Sequence, residues 1–395
     1  MGRRFAAFLV LILAAPARVD AQRAPNIPLR APDSQLDVGM TAIVSVRELR
    51  DGRLLVSDRV ENRLALVDWR TGEVATIGGR GQGPGEYRDS GWLFALRGDT
   101  TLFTEPTRRW HTLDGPRIVR SLPMSYPLSR VFDPILFGSD SAGRVLSVDG
   151  FRWGESVALA IGKYQADSLV VMVAVTAGDA DAALVVDTIA RIAGPGEQAC
   201  SPFGRGVRRG GAGGGAARTA PPCNPIATAE QPLLFPDGWL AVARTRPYRV
   251  DWRDPNGRWI RGAPIPGEPV PMSERDRCAA LQGFPFERPG DCDRQQLEAP
   301  SWPQELPPFV AVGRSNSAPR TPALFAAPDG RLLIRRTPSS AAPGTRYDLV
   351  DRRGALDGVI TLPPNEAIVG FGARAVYTIR TDDVDLQWLR RRPWP

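Results

Sequence analysis

Short apolar runs separated by turn residues recur along the chain, and the clearest set lies within residues 50–89. An Asp51-Gly52 turn opens this stretch. Three apolar runs follow, at 53–57, 64–69 and 73–77. Runs of this length between turn residues are typical of short strands, and consecutive ones predict an antiparallel meander.

The turn-plus-strand start of this meander recurs six times. The turns stand at Asp51-Gly52, Gly98-Asp99, Ala142-Gly143, Asp237-Gly238, Asp329-Gly330 and Gly372-Ala373. A repeated meander of this kind is typical of the blades of a β-propeller, in which neighbouring blades bury each other's faces. We therefore predict an all-β fold over residues 22–395, a single six-bladed propeller domain of four-stranded antiparallel blades.

The spacing between the turns doubles twice, and each doubled interval contains an irregular segment. These segments lie at about 194–225 and 265–323. We interpret them as insertions, which explain the doubled spacing better than missing blades would. The first is rich in Gly and Arg and predicts a loop without a core. The second contains a predicted short helix that starts after Ser273, with Asp276 three residues on.

The last repeat is too short to complete a blade before the chain ends at Pro395. An open sheet edge invites aggregation, so the ring needs a further strand there. We expect residues 26–31, near the N-terminus, to supply the missing outer strand.

The stretch that begins at Asp51-Gly52 resembles the NHL-repeat propellers, and resembles more closely the exported bacterial "6-bladed beta-propeller" proteins. The motif residues are Asp51-Gly52, Asp58, Asn62-Arg63 and the glycine-rich run 79–87. The resemblance implies a six-bladed ring. NHL-type propellers are usually binding platforms, and related propellers include lactonases and lyases, so the resemblance leaves the function open.

Residues 1–21 are typical of a secretory signal peptide. Arg3 and Arg4 precede the apolar run Phe5–Ala15, and small residues around Ala21 offer a cleavage site before Gln22. A membrane-spanning helix needs about 20 apolar residues, which this run does not reach. We predict an exported protein, periplasmic or extracellular, without a membrane span.

Export places the four cysteines in an oxidising compartment, where disulfides persist. Four cysteines allow three connectivities. Pairing of sequence neighbours, Cys200 with Cys223 and Cys278 with Cys292, is the simplest of them. Neither spacing matches a CxxC zinc pattern.

The formal net charge is +7, and Lys163 is the only lysine, so the basic charge is nearly all arginine. We attribute the arginine content to overall composition, with an acidic partner as the alternative. Export argues against nucleic acid. We expect a monomer whose partner is a protein, a peptide or a glycan.

The glycine-rich run 79–85 superficially resembles a phosphate-binding loop. A nucleotide fingerprint needs a strand before it and a helix after it, whereas this run leads into another strand. We therefore interpret it as a structural connector. Arg80, Gln82 and Arg88 remain candidate binding residues at the face of the ring.

The remaining polar residues offer little catalytic chemistry. His111 is the only histidine and lies on a predicted strand, so we assign it a structural role. Asp58 and Asn62 form a polar corner where such side chains commonly bind local backbone. Glu48, Asp89 and Asp133 are candidate calcium ligands in the axial channel; no other cofactor is expected.

Two hypotheses follow. The first is an exported, non-catalytic binding or scaffold propeller of unknown ligand. The alternative is a carboxylate- and Ca-dependent hydrolase or lyase of the lactonase-like propeller type. The alternative predicts that acidic side chains from several blades converge on the central axis.

Overall fold

The structure is a computed structural model. The residues that it describes are 24–105, 109–123, 136–149, 169–175, 185–193, 224, 226, 230–267, 269–282, 292, 301–310, 323–342 and 344–395. The predicted signal peptide, Cys200 and Cys223 therefore lie outside the described residues. The first predicted insertion, 194–225, also lies outside them, apart from Asn224.

Strands dominate the described residues. Those of the first part of the chain are β1 Ser34–Gln35, β2 Ile43–Glu48, β3 Leu54–Asp58, β4 Arg63–Asp68, β5 Glu73–Thr76, β6 Gly79–Arg80, β7 Glu86–Tyr87, β8 Trp92–Ala95, β9 Thr100–Thr104, β10 Arg109–Asp114, β11 Arg117–Pro123, β12 Leu136–Ser139 and β13 Arg144–Asp149. Those of the second part are β14 Leu169–Val175, β15 Val185–Ile192, β16 Gln231–Leu234, β17 Leu240–Thr245, β18 Tyr248–Arg253, β19 Trp259–Ile260, β20 Leu324–Ala326, β21 Leu332–Arg335, β22 Thr345–Val350, β23 Leu356–Leu362, β24 Glu366–Phe371, β25 Ala375–Thr381 and β26 Gln387–Pro393. The helix α1 spans Glu274–Gln282. The all-β prediction is confirmed.

The stretch 50–89 folds as the sequence predicts. Its three apolar runs form β3, β4 and β5, and β2 pairs with β3 to complete a four-stranded antiparallel sheet. Val56 faces Ala65, and Val67 faces Val74, in the ladders that join these strands. The side chains of β3 are buried throughout, which agrees with a strand covered on both faces.

The described strands form five sheets of four or more strands. The predicted number of separate four-stranded sheets, six, is therefore wrong. Four sheets have four strands: β2–β5, β8–β11, β20–β23, and β24–β26 with β1. The fifth has eight strands, because the meanders β12–β15 and β16–β19 are joined edge to edge. A single parallel bridge between Gly138 and Leu234 makes that junction.

The first strands of successive meanders lie side by side. Contacts or shared core clusters join Ser45 to Leu93, Ala95 to Ser139, Gly138 to Leu234, Leu233 to Leu324, Phe325 to Phe371 and, from the last meander back to the first, Val369 to Val46. The first strands thus surround a central axis, with the other strands of each meander outside them. This is a propeller arrangement.

The N-terminal segment supplies the outer strand of the last sheet, but through other residues than predicted. β1 pairs antiparallel with β26, with Ser34 opposite Arg391. The predicted segment 26–31 instead begins with a bridge from Asn26 to Val359, on the neighbouring sheet. The closing residues come later because the segment first crosses from one sheet to the next.

The second insertion carries the predicted short helix. Ser273 caps α1: the Asp276 amide donates to the Ser273 hydroxyl at 3.1 Å, and Ser273 donates back to the Asp276 carboxylate at 2.6 Å. The Ser340 amide also donates to Asp276, at 2.7 Å, which ties α1 to the loop between β21 and β22. The predicted disulfide between Cys278 and Cys292 is present.

Apolar side chains fill the spaces between neighbouring sheets. The cluster between the first and last sheets includes Val56, Val67, Tyr377 and Leu389, all fully buried. Trp69 stacks on Tyr377 in this cluster, with ring centroids 6.0 Å apart. Within the described part of the chain, no helix has the length and apolar character that crossing a membrane requires.

Candidate functional site

Tight turns lead from the first strand to the second in each meander, at one end of the axis. The amide of Gly52 donates to the Leu49 carbonyl at 2.9 Å, and Gly238 donates to Phe235 in the same way. Both glycines have φ near +85°, a conformation that residues with a Cβ rarely adopt. The repeated Asp-Gly pairs of the sequence therefore mark the same backbone turn around the ring.

A cavity of about 910 Å³ opens at this end of the axis. We call it the central cavity. It is lined by residues 46–50, Leu93, Ala95, 235–237, 326–330, Arg352 and 371–373. Its walls thus come from the ends of β2, β8, β16, β20 and β24. A volume of several hundred Å³ is typical of small-ligand sites.

Glu48 stands at the end of β2, in the wall of the central cavity. The Tyr377 hydroxyl donates a hydrogen bond to the Glu48 carboxylate, and the Ala373 amide donates to it at 3.3 Å. A Cβ on Gly372 would lie 1.8 Å from the same carboxylate, so a larger residue there would displace the carboxylate from this position. Burial, and then the hydrogen bond to Glu48, raise the pKa of Tyr377 above its ordinary value.

Two arginines follow each other on the same wall. Arg47 donates to the backbone carbonyls of Glu48 and Gly98, the latter at 2.9 Å, while its Nε is buried without a partner in the described part of the chain. Burial lowers the pKa of the Arg47 guanidinium from its ordinary value. The Arg50 side chain is exposed.

The opposite wall carries two ion pairs. Arg352 contacts Asp237 at 2.5 Å, and its guanidinium lies 4.7 Å from the centroid of the Trp239 ring. Asp329 accepts hydrogen bonds from Arg331 and Trp394, both at 2.7 Å. These contacts link the turns of neighbouring sheets.

The predicted binding residues lie away from this cavity, on the connector that precedes β8. Arg80, Gln82 and Arg88 are exposed and are not brought into contact with the central cavity. The Gly83 amide donates to Glu86 at 2.7 Å, and a Cβ on Gly81 would lie 2.0 Å from the same carboxylate. The glycine-rich loop therefore folds around its own carboxylate, as a structural connector does.

Of the three candidate calcium ligands, the two that the structure describes are not brought together. Glu48 lies in the central cavity, where it follows Ser45 along β2. Asp89 precedes Leu93, whose amide donates to the Ser45 hydroxyl at 3.1 Å, so Asp89 stands toward the other end of the axis. Asp133 lies outside the described residues. Among the residues that are described, no group of three or more His, Cys, Asp or Glu side chains is placed to hold a metal ion.

The polar corner between β3 and β4 is structural, as predicted. The Asp58 carboxylate accepts from the amides of Thr41 and Ala42, at 2.7 and 3.2 Å, and from two amides of its own corner. Asn62 adopts a positive φ of 54° and hydrogen-bonds the backbone of Arg88 and Ser90. Its role is to fix the connector onto the first sheet.

His111 takes part in a hydrogen-bonded chain that the sequence did not predict. Its Nε2 lies 2.6 Å from the Glu105 carboxylate, and its Nδ1 lies 2.7 Å from the Ser121 hydroxyl. The side chains of His111 and Glu105 are fully buried. The chain joins β10 to the loop after β9 and to β11, and it lies outside the central cavity.

The sequence contained a signal for the cavity residues that the sequence analysis missed. They stand within a few residues before the repeated turns. Arg47 and Arg50 precede Asp51-Gly52, Phe235 precedes Asp237-Gly238, and Phe371 precedes Gly372-Ala373. Residues in this part of the repeat lie at the same end of the axis, so the repeat identifies them without any catalytic motif.

Comparison with known proteins gives a distant likeness. No family model matches the chain, and no curated protein matches it. Among solved structures it is similar to the calcium-binding protein regucalcin from Agrobacterium tumefaciens, with 11% identity, a TM-score of 0.40, and coverage of 94% of this chain and 97% of that one. It is also similar to an inactive virginiamycin B lyase from Staphylococcus aureus with quinupristin, with 10% identity, a TM-score of 0.40, and coverage of 91% and 98%. Both are propeller proteins, and we carry no site residue over from either.

Proposed function

We propose that this protein is an exported, non-catalytic binding β-propeller that holds its ligand in the central cavity. The ligand is a small molecule or the end of a longer peptide or glycan chain. The cavity itself carries this proposal, because walls from five first strands meet there and leave about 910 Å³ between them. The contacts of Glu48, Asp237 and Asp329 with neighbouring side chains support a preformed wall.

The proposed location is outside the cytoplasm, in the periplasm or the medium. The pattern of residues 1–21 supports it, and so does the disulfide between Cys278 and Cys292, since disulfides persist in oxidising compartments. We propose that the mature chain starts near Gln22 and forms one domain. The pairing of β1 with β26 covers an outer sheet edge and supports a monomer.

We also propose that the eight-stranded sheet acts as two blades, which would give the ring six repeats. Each half is a complete four-stranded meander, and one bridge between Gly138 and Leu234 joins them. The first strands of both halves take their places in the circle around the axis. The six turn-plus-strand starts of the sequence agree with this count.

A second candidate is a calcium-dependent hydrolase or lyase. The observation in its favour is that Glu48, Asp237 and Asp329 come from three sheets and line one cavity. Each of them already has hydrogen-bond donors or an arginine, which favours the binding proposal. Calcium titration by calorimetry separates the two: calcium binding that Glu48→Gln abolishes would support the second candidate.

The binding proposal is tested by ligand retention. Purified protein is incubated with an extract of small molecules, washed, and analysed by mass spectrometry for what stays bound. Ala95→Trp, which fills part of the central cavity, should abolish retention, whereas Ala341→Trp on an exposed loop should preserve it. Equal retention by both variants would contradict a site in the central cavity.

A further inference from the structure

In the central cavity the carboxylates have hydrogen-bond or ion-pair partners, whereas two of the arginines form no ion pair among the described residues. Its three carboxylates all have partners: Glu48 accepts from Tyr377, Asp237 pairs with Arg352, and Asp329 pairs with Arg331. Each carboxylate is therefore held by a donor that belongs to the protein. An additional cation has no free carboxylate to bind among these three.

The arginines of the β2 wall are in the opposite situation. Within the described part of the chain, neither Arg47 nor Arg50 forms an ion pair with a carboxylate. The Asp99 carboxylate accepts a hydrogen bond from the backbone amide of Arg50, at 2.8 Å. Asp99 and Glu48 both raise the pKa of Arg47 through their charge, but burial outweighs them, and the charge of Arg50 lowers it further.

Arg47 keeps unused hydrogen-bond donors. A guanidinium has five N–H groups. One backbone carbonyl accepts from each of its two Nη atoms, so each Nη keeps a second N–H, while the Nε is buried without a partner among the described residues. A ligand carboxylate beside the Nη atoms would gain charge-assisted hydrogen bonds, which are stronger than neutral ones.

Apolar residues line another part of the cavity. Ala95, Ala326 and Phe371 come from three different sheets and are only partly buried there. Burying apolar surface of a ligand against them is favourable, at roughly 25 cal/mol per Å². A ligand that binds both the arginines of the β2 wall and the apolar part of the lining has an acidic group at one end and an apolar body.

We propose that the ligand of the central cavity is a small organic carboxylic acid, with its carboxylate on Arg47 and Arg50 and its apolar part against Ala95 and Phe371. This inference rests on the proposed function, because it assumes that the central cavity is the binding site. It adds the chemical class of the ligand and the two residues that select it.

The experiment compares matched probes by isothermal titration calorimetry. A panel of aryl-substituted and straight-chain alkyl carboxylic acids is titrated beside the neutral amide of each acid. The best acid should bind about tenfold more tightly than its amide, as expected for a charge-assisted hydrogen bond. Arg47→Met and Arg50→Met should each remove this preference.

The control variant is Arg70→Met, whose exposed guanidinium pairs with Asp68 away from the cavity. It should keep the full preference for the acid. Arg47→Met could lower stability because Arg47 is partly buried. Arg50→Met avoids this problem, because the Arg50 side chain is exposed and makes no hydrogen bond or ion pair among the described residues.

The outcomes separate the two proposals. If an acid and its amide bind equally well, and Ala95→Trp abolishes both, the central cavity is a ligand site but the preference for acids is refuted. If no acid and no amide of the panel binds, this inference is refuted, and ligand retention decides the proposed function separately. Loss of the preference in Arg70→Met as well would refute the assignment to Arg47 and Arg50.

Discussion

The Tyr377 hydroxyl on β25 donates a hydrogen bond to the Glu48 carboxylate at the end of β2, and so joins the last sheet to the first. The two residues are far apart in sequence, and Tyr377 is fully buried. The same contact places Glu48 in the wall of the central cavity. Closure of the ring and the shape of the candidate site therefore depend on one another.

Gly372→Ala should destabilise the protein, because its Cβ would lie 1.8 Å from the Glu48 carboxylate and displace it. Loss of the hydrogen bond would leave the buried Tyr377 hydroxyl without its partner, at a cost of about 1–3 kcal/mol. Urea unfolding measures the change. Gly79→Ala is the control, since a Cβ there meets nothing within 4 Å. Equal stability of the two variants would contradict the role of the Glu48–Tyr377 contact.

Leu36→Ala should weaken closure by the N-terminal segment. Leu36 follows β1, its amide donates to Leu389 at 3.0 Å, and its side chain is 2% exposed. Truncating such a buried leucine costs about 2–5 kcal/mol. The neighbouring Val38→Ala, at a side chain that is 43% exposed, should change the free energy of unfolding by less than about 0.5 kcal/mol. A similar small change in both would show that this segment does not hold the last sheet.

His111→Ala should cost about 2–3 kcal/mol, because it removes two hydrogen bonds and leaves a gap in a buried position. Thr112→Ala, at the next and half-buried residue, is the control and should be milder. The structural role that the sequence predicts for His111 is thereby given a size. A substitution that leaves thermal unfolding unchanged would show that the Glu105–His111–Ser121 chain adds nothing.

The architecture was predictable from local signals. Asp51-Gly52, Asp237-Gly238 and Asp329-Gly330 mark turns whose glycine has a positive φ, and a turn of this kind fixes the two strands beside it. The junction at Gly138 and Leu234 was not predictable, because it is a single backbone bridge between residues distant in sequence. The same holds for β1, since the sequence does not show how far the chain runs before it meets β26.

The site was less predictable than the fold. The glycine-rich run drew attention to Arg80, Gln82 and Arg88, although its glycines make room for Glu86. Arg47 and Arg50 belong to no sequence motif. Whether their guanidinium groups form ion pairs depends on which carboxylates lie near them. Contacts between residues of different sheets determine this, and the sequence alone does not show such contacts.

Stability should fall in acid. Burial alone would raise the pKa of Asp276, but hydrogen bonds from Ser273 and Ser340 outweigh it and hold the pKa below its ordinary value. As the pH falls, Asp276 of the unfolded chain binds a proton first, near the usual aspartate pKa of about 3.9. The contribution of Asp276 to the free energy of unfolding is therefore fully present above that pH and is lost as the pH falls through the folded-state pKa.

Asp276→Asn should therefore lower stability at neutral pH and flatten the loss of stability in acid, measured by urea unfolding across this range. Asp385→Asn, at an exposed turn, is the control and should keep the steeper acid profile. If Asp276→Asn retains the full acid dependence, the carboxylate does not contribute through these hydrogen bonds.

The position of the ligand in a crystal structure is the most direct measurement of the central claim. The protein is crystallised with the molecule that it retains from the extract, and the density is located relative to the ring. We expect the ligand in the central cavity, with an acidic group beside Arg47 and an apolar part beside Phe371. Density at the connector instead, beside Arg80, Gln82 and Arg88, with an empty central cavity, would contradict the proposed function.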